Sequence, residues 1–256
     1  MSSNIIENNE NNENMENDQI QQLQKIVDDS NNIVFFGGAG VSTESGIPDF
    51  RSVDGLYHQK WKYPPEMIIS HSFFVKNPKE FYRFYKEKLL PSGILPNKAH
   101  KKLAQLEKVG KLKAVVTQNI DGLHQDAGSE VVYELHGSVL RNYCTNCKTF
   151  YDADFIRNAK EIPVCTKCGA IVKPDVVLYE EGLDDHIITK SIEAIAKADC
   201  LIIGGTSLTV QPAASLVQYF SGKYLVVINK GDFYQPKPTT LVIKDKIGEV
   251  LDKIRC

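Results

Sequence analysis

The chain has 256 residues, of which 42% are hydrophobic and 24% are charged, values that are ordinary for a globular protein with one sizeable core. We find no apolar run of the roughly 18 residues that a membrane span needs, and the first residues lack the basic and apolar regions of a secretory signal. The formal net charge is -2, and without the five acidic residues of the first 18 it is about +3, which is too small to indicate nucleic-acid binding. The composition therefore predicts an intracellular protein, in the cytoplasm, the nucleus or both, with no membrane and no direct nucleic-acid partner.

The first 18 residues differ from the rest of the chain. They are rich in Asn and Glu, and they contain five acidic side chains and no Lys or Arg. Such a segment has too little apolar surface to bury, so we expect residues 1–18 to form a disordered tail. Ile20, Leu23, Ile26 and Val27 then recur at helical spacing, which predicts that order begins near residue 19 with a helix.

Beyond this helix, short apolar runs alternate with helical patterns. We expect strands at 32–36, 112–117, 131–135, 176–179, 201–203 and 224–228, and helices at 74–89, 97–109, 187–198 and 212–220. This alternation is typical of an α/β fold, a Rossmann-like parallel sheet with helices on both faces. Residues 140–172 contain no long apolar run, so we expect them to form a small inserted module.

A glycine-rich turn follows the first predicted strand. Glycines at 37, 38 and 40 would let the backbone approach a pyrophosphate, and a helix N-terminus behind them would offer free N–H groups. A dinucleotide is the natural ligand of such a turn, although a plain tight turn explains a Gly-x-Gly pattern equally well. Thr43 stands where the dehydrogenase fingerprint has its third glycine, and no acidic residue follows at the end of a second strand. These departures disfavour a hydride-transfer dehydrogenase.

The loop after this turn reads Ile47-Pro48-Asp49-Phe50-Arg51. A carboxylate, an aromatic ring and a guanidinium behind a proline could close over a cationic ring and a phosphate. Taken alone, the segment is equally typical of a solvated loop with one buried Phe.

Four of the six cysteines form two pairs. Cys144-x-x-Cys147 is followed, after seventeen residues, by Cys165-x-x-Cys168, the spacing of a zinc ribbon. Four thiolates would close the coordination sphere, so the predicted zinc ion is structural. Two disulfides are the alternative explanation. Cys200 and Cys256 lie outside the pattern.

Polar residues follow several predicted strands, where parallel sheets bind their ligands. The segment 117–124 (TQNIDGLH) follows the strand at 112–117, and Glu134-Leu135-His136-Gly137 ends the next one. An imidazole there could act as a general base near pH 7, although a lone His is more often structural. Segment 204–207 and Asn229 also follow strands, as phosphate or ribose contacts or as ordinary turns.

Together these segments resemble the sirtuin family of NAD-dependent protein-lysine deacylases, in wording similar to its bacterial-type branch. The motifs that carry the resemblance are GAGVSTESGIPDFR (38–51), TQNIDGLH (117–124), ELHG (134–137), the two Cys pairs, KPDVVLYEE (173–181), GTSLTVQP (205–212) and IN (228–229). The resemblance implies a catalytic domain over 19–256. Its large Rossmann-like part would comprise about 19–52, 90–138 and 174–256, and its small part a helical module at about 53–89 and a zinc module at about 139–173.

The resemblance also implies the chemistry. An acyl group moves from a lysine side chain onto the ribose of NAD, the co-substrate, giving nicotinamide and O-acyl-ADP-ribose. His136 would be the base towards a ribose hydroxyl, Asn119 would orient the ribose and a water, and Phe50 would shield the reactive carbon. The implied cofactor contacts are Gly38, Ala39, Gly40, Thr43, Asp49, Phe50, Arg51, Gln118, Asn119, Ile120, Asp121, Gly205, Thr206, Ser207 and Asn229. Ile120 and Asp121 would bind the nicotinamide carboxamide.

The same resemblance implies the substrate. Val177 and Tyr179 would add an acyl-lysine peptide as an extra strand, and the protein would act as a monomer. Sirtuins that prefer acidic acyl chains have a Tyr-x-x-Arg pair, but here Tyr82 is followed by Tyr85, which favours acetyl or longer neutral acyl groups. Glu180 stands where many members have Gly, and we expect little effect of that change. Two alternatives remain open at this point: a mono-ADP-ribosyltransferase and a non-enzymatic NAD-sensing module.

Overall fold

The computed structural model describes residues 2–50, 55–58, 60–90, 92–234 and 238–256. Its strands are β1 (Ile33–Gly37), β2 (Leu112–Thr117), β3 (Val132–Glu134), β4 (Gly137–Cys144), β5 (Phe150–Tyr151), β6 (Val172–Val176), β7 (Cys200–Gly204), β8 (Tyr224–Ile228) and β9 (Leu241–Ile243). Its α-helices are α1 (Ser2–Asp29), α2 (Pro65–Ile68), α3 (His71–Lys76), α4 (Pro78–Phe84), α5 (Lys98–Lys108), α6 (Leu123–Asp126), α7 (Ala153–Asn158), α8 (Asp185–Lys197) and α9 (Ile247–Asp252). Short 3₁₀ helices occupy Ala39–Val41, Thr43–Ser45, Leu56–His58 and Ala213–Tyr219, and a π-helix occupies Tyr85–Leu89.

The large sheet is parallel throughout, with strand order β3-β2-β1-β7-β8-β9. Its central strands are buried along their whole length, which explains why they read as continuous apolar runs rather than as alternating patterns. Successive side chains of β1 point to opposite faces, so Phe35 joins one core and Phe36 the other. Helices α1, α5 and α9 cover the first face, and α8 with residues 213–219 covers the second. The predicted α/β fold class is confirmed.

The small antiparallel sheet has the order β5-β4-β6. Its buried residues share one core with α2, α3, α4, the π-helix and α7, so the predicted helical and zinc modules pack as one body. The strand predicted at 176–179 is wrong. The strand is β6 (Val172–Val176), where buried and partly exposed residues alternate and which pairs with β4. The apolar run at 176–179 begins where the alternating residues of β6 end, and it forms only an isolated bridge between Tyr179 and Ser70.

Helix α1 begins at Ser2, whereas the composition predicts disorder up to residue 18. Asn and Glu do not break a helix, so the hydrogen-bonded backbone continues through this segment. The C-terminal part of α1 contacts the domain: the Gln19 side chain donates to the Val242 carbonyl at 3.1 Å, and Ile20 packs on the first core. The division of the chain at residue 18 stays a prediction. Within the described residues, no helix combines the length and the apolar character that crossing a bilayer requires.

Two buried histidines, His100 of α5 and His124 of α6, pack against each other. The rings of His100 and His124 are 4.7 Å apart, and both side chains are almost inaccessible to solvent. Burial lowers the pKa of His100 to about 4, and burial with the neighbouring His100 lowers the pKa of His124 to about 3. Neither ring nitrogen of His124 has a hydrogen-bond partner in the described part of the chain. Both rings are therefore neutral in the folded protein.

This pair predicts that the protein loses stability in mild acid. Both folded pKa values lie below the ordinary value of 6.5, so the unfolded chain binds more protons between about pH 4 and 6.5. At pH 5 each histidine should cost about 2 kcal/mol of stability relative to pH 7. Thermal unfolding followed at pH 5 and pH 7 measures this difference. We expect His124→Phe to reduce it and the exposed His186→Gln to leave it unchanged. An equal pH dependence in all three proteins would contradict the prediction.

Candidate active site

The carboxyl ends of the central strands lie at one edge of the sheet. In the strand register Gly37 is opposite both Thr117 and Gly204, Thr117 is opposite Glu134, and Gly204 is opposite Ile228. The segments that follow these residues therefore emerge side by side. These segments are 38–50, 118–124, 135–137, 205–209 and the position of Asn229, and apart from Arg51 they contain the cofactor and catalytic residues expected from the sequence.

The glycine-rich turn packs directly against the turn after β7. The Gly40 N–H donates to the Gly205 carbonyl at 2.8 Å, and a Cβ on Gly40 would lie 2.8 Å from the Gly205 Cα. Gly205 itself has φ of +59°, a left-handed conformation that favours glycine. Any side chain at either position would push the two turns apart. Two 3₁₀ helices, Ala39–Val41 and Thr43–Ser45, follow the turn where the sequence pattern suggested the start of an α-helix.

Three side chains form a hydrogen-bonded network at this edge. The Asn119 amide donates to the Ser42 hydroxyl at 3.1 Å, and that hydroxyl donates to the Asp121 carboxylate at 2.7 Å. Ser42 and Asn119 are both buried. Ser42 lies inside the motif 38–51 but does not appear among the residues expected from the sequence, because its partners are far away in the chain.

The Asp121 carboxyl group is partly buried and accepts two hydrogen bonds. Burial raises its pKa, while hydrogen bonds from the Ser42 hydroxyl and from the Leu123 N–H act in the opposite direction. The Ile120 carbonyl accepts from the Val139 N–H at 2.9 Å, which fixes the preceding peptide. The segment 119–121 is therefore a rigid stretch with an acceptor in a fixed position.

The orientation of His136 is set by the main chain. Its Nδ1 lies 2.9 Å from the Gln118 carbonyl oxygen, which can only accept, so Nδ1 carries the proton and donates. The neutral ring then has its basic lone pair on Nε2. Burial lowers the pKa of His136, and the hydrogen bond to Gln118 raises it in part. His136 is therefore neutral and available as a base at physiological pH.

Other expected cofactor residues occupy the same edge with different partners. The Gln118 amide donates to the Thr206 hydroxyl at 3.1 Å, and this bond joins segment 118–124 to segment 205–209. The Asn229 amide donates to the Gly231 carbonyl, and the Ser207 and Thr209 hydroxyls lie 2.8 Å apart. Ala39 lies in the first 3₁₀ helix, and the Thr43 hydroxyl donates to the Gly40 carbonyl. Asp49 and Phe50 lie in the loop that follows. Arg51, which is also expected to contact the cofactor, lies outside the described residues.

The segment expected to bind the peptide is tied into the small part of the domain. The Tyr179 N–H donates to the Ile69 carbonyl and its carbonyl accepts from the His71 N–H, both at 3.0 Å. The Val177 N–H donates to the His136 carbonyl, also at 3.0 Å. The backbone N–H and carbonyl of Tyr179 are thus already paired within the chain, and its side chain is partly exposed. A cleft of about 690 Å³ borders this side chain.

Glu180 adopts a backbone conformation that favours glycine. Its φ is +77°, in the left-handed region. Its carboxylate accepts hydrogen bonds from the Ser72 N–H at 2.8 Å and from the Ser72 hydroxyl at 2.9 Å. These two bonds offset the backbone strain, and the small effect expected for Glu in place of Gly stays a prediction.

The four paired cysteines meet in one cluster. Their sulfur atoms all lie within 4.8 Å of one another, and neighbouring sulfurs are 3.4–3.5 Å apart. A disulfide requires about 2.05 Å, and all four thiols are free, so the two-disulfide alternative is wrong. Tetrahedral zinc with Zn–S bonds of about 2.3 Å places its sulfurs about 3.8 Å apart. The cluster therefore fits a structural zinc ion.

Further contacts support a metal-binding role for these thiols. The Tyr151 hydroxyl donates to the Cys165 sulfur at 3.2 Å, and this hydrogen bond lowers the pKa of Cys165 to about 6. Backbone N–H groups of Cys147 and Lys167 donate to sulfurs within the two Cys-x-x-Cys turns. The bonds to Cys165 favour its thiolate, the form that binds zinc, whereas burial raises the pKa of Cys144 to about 11.

The chain is similar in sequence and in fold to known proteins. The Sir2 family model matches residues 38–212. The NAD-dependent protein deacetylase of Clostridium perfringens is 63% identical over 233 residues, which cover 90% of this chain and 96% of that protein. Among solved structures, a Sir2 variant with deacetylated p53 peptide and 3'-O-acetyl-ADP-ribose has a TM-score of 0.84 at 36% identity and covers 92% of this chain and 96% of that one. A Sir2 with p53 peptide and NAD+ has a TM-score of 0.81 at 37% identity, covering 91% and 95%.

These matches agree with the motifs, the strand order and the cysteine cluster. The family model spans more than half of the chain, and the bacterial relative covers nine-tenths of it. The protein therefore belongs to the Sir2 family.

Proposed function

We propose that this protein removes acetyl groups from lysine side chains of other proteins, with NAD as co-substrate and with nicotinamide and O-acetyl-ADP-ribose as products. The relative from Clostridium perfringens has the corresponding name, NAD-dependent protein deacetylase. The observation in this chain that carries the proposal is His136, whose Nδ1–H is bound to the Gln118 carbonyl so that Nε2 is the basic nitrogen at the ligand-binding edge.

The side chains at this edge suit the cofactor. They include amides, hydroxyls and carboxylates, the donors and acceptors that ribose hydroxyls and a carboxamide require. We assign the phosphates to the turn of Gly38, Ala39 and Gly40 and its neighbour Gly205, and the nicotinamide carboxamide to Ile120 and Asp121. We assign the two riboses to Asn119, Gln118, Thr206, Ser207 and Asn229. We also assign cofactor contacts to Thr43, Asp49 and Arg51.

NAD, when bound, supplies the ribose that accepts the acyl group. His136 removes a proton from a ribose hydroxyl at Nε2, while its Nδ1–H stays bonded to the Gln118 carbonyl and stabilises the charged ring. Asn119 orients the ribose through an amide whose direction is fixed by Ser42. Phe50 covers the reacting face and excludes water, which suppresses simple hydrolysis. In this assignment Val177 and Tyr179 bind the acyl-lysine peptide.

Product analysis with the wild-type protein tests the proposal. The protein is incubated with a capped peptide that has a central acetyl-lysine, with and without NAD, and the products are identified by mass spectrometry. We expect deacetylation only with NAD, in equal amounts with nicotinamide and O-acetyl-ADP-ribose. If NAD is consumed while ADP-ribose is attached to protein, the chain is a mono-ADP-ribosyltransferase. If NAD binds without turnover, the chain is an NAD-sensing module.

The acyl group is expected to be neutral. Tyr82 and Tyr85 are both fully buried in the core of the small part, and neither position offers a positive charge. Arg83, between them in sequence, points to the surface, where it pairs with Glu80 and lies 5.1 Å from the Trp61 ring. A succinyl carboxylate would therefore be buried without a partner. We expect kcat/KM for an acetyl peptide to exceed that for the matched succinyl peptide by at least about tenfold, and the opposite order would refute this assignment.

We also propose an intracellular location, in the cytoplasm or the nucleus, and a monomeric state. All six cysteines are free, which supports a reducing compartment. Light scattering of the purified protein measures the mass in solution, and 28.7 kDa is the value expected for one chain.

A further inference from the structure

The loop that contains Phe50 is closed at its base. The Leu56 N–H donates to the Asp49 carbonyl, and the Tyr57 N–H donates to the Phe50 carbonyl, both at 2.9 Å. The rings of Phe50 and Tyr57 are also in contact, with centroids 5.5 Å apart and planes tilted by 59°. Tyr57 thus contacts Phe50 through both its backbone and its side chain, so a shift of Tyr57 would move Phe50.

The hydroxyl of Tyr57 makes a second contact, with the segment to which the peptide is assigned. It lies 2.7 Å from the hydroxyl of Tyr179, a distance at which one hydroxyl donates and the other accepts. Tyr179 is itself fixed, because its N–H and its carbonyl are bonded to Ile69 and His71. The two tyrosines are 122 positions apart in the sequence, and their contact joins the loop of Phe50 to the segment 177–179.

We propose that the Tyr57–Tyr179 hydroxyl pair is a positioning contact that couples peptide binding to the placement of Phe50 over the cofactor. The inference rests on the proposed function, since it assigns the peptide to segment 177–179 and the cofactor to the edge that Phe50 covers. Tyr57 acts through Phe50 and touches neither reactant.

The physical basis is the exposure of the pair. Tyr179 is 40% exposed, so water competes for its hydroxyl in the free protein. A peptide lying beside Tyr179 would exclude that water and strengthen the bond, and the Phe50 loop would then be held more firmly in the position that binds cofactor. By reciprocity, bound cofactor should raise the affinity for the peptide by the same factor.

Calorimetric titration of the whole protein tests the coupling. ADP-ribose, which contains the cofactor's phosphates and ribose but cannot react, is titrated with and without a saturating capped acetyl-lysine peptide. In the wild type we expect the peptide to tighten ADP-ribose binding. Tyr57→Phe keeps the ring and removes the hydroxyl, and it should reduce this tightening by about fivefold, the value of one hydrogen bond.

A double-mutant cycle distinguishes an effect of the Tyr57–Tyr179 contact from independent effects of the two residues. Tyr179→Phe should cause a similar loss of coupling, and the double variant should lose no more than either single variant, because one bond is already gone. Tyr219→Phe, at another exposed tyrosine, is the matched control and should retain the full tightening. Additive losses, or full coupling in Tyr57→Phe, would overturn the inference.

The outcomes also distinguish this inference from the proposed function. If the wild type binds both ligands and turns over the peptide but shows no coupling between them, the positioning role is wrong and the deacetylase activity stands. If the wild type binds neither ligand, both proposals fail together.

Discussion

Replacement of His136 by alanine is expected to lower kcat for deacetylation by about 10²–10⁴-fold, the usual contribution of a general base. The imidazole is the group at this edge that combines a neutral form near pH 7 with a lone pair set by a main-chain hydrogen bond. Steady-state rates with an acetyl-lysine peptide and NAD measure the effect. Because the pKa of His136 is lowered by burial, the acid limb of kcat/KM in the wild type should have its midpoint below the ordinary value of 6.5.

A matched variant shows whether the effect is chemical. His186 is exposed on α8, and His186→Ala should retain wild-type rates. The melting temperature and the affinity for ADP-ribose of the His136→Ala protein show whether the fold and the cofactor site survive. A His136→Ala protein that folds, binds ADP-ribose and still turns over within a few-fold of the wild type would exclude His136 as the base.

The sequence predicted the large sheet well because its signals are local. The strand predicted at 112–117 is β2 to the residue, and a Gly or a polar segment marks the end of each central strand. Parallel strands buried on both faces read as continuous apolar runs, so hydrophobic clustering was the right criterion there. The same criterion failed for β6, which is half-exposed and alternates with a period of two.

The active-site edge was predictable only in part. The positions of His136, Asn119 and Asp121 followed from their places after predicted strands, since parallel strands end at one edge. The role of Ser42 depends on hydrogen bonds to residues 77 and 79 positions away, and the Tyr57–Tyr179 contact spans 122 positions. No local pattern encodes such distances, because they depend on how the two parts of the domain pack together.

Loss of the metal should have the largest effect on stability. Cys144 and Cys165 are buried in the same core as Phe81 and Tyr82, so the cluster closes the core of the small part. Cys147→Ser removes one ligand at an exposed position and leaves that core intact. Loss of a bound metal is one of the few changes that can cost about 4 kcal/mol or more. For a chain of this size we therefore expect the melting temperature to fall by about 8–16 °C.

Cys256→Ser is the matched control, because Cys256 is also exposed but lies outside the cluster. Elemental analysis should find one zinc per chain in the wild type and in Cys256→Ser, and much less in Cys147→Ser. The cluster lies apart from the strand-end edge, but deacetylation should still fall with zinc content. The reason is that Val176 and Leu178, on either side of Val177 in the proposed peptide segment, belong to the core that the metal closes. Full stability and activity without bound zinc would show that the four thiols are not a structural metal site. Stability lost without any loss of activity would instead show that this core does not support the peptide segment.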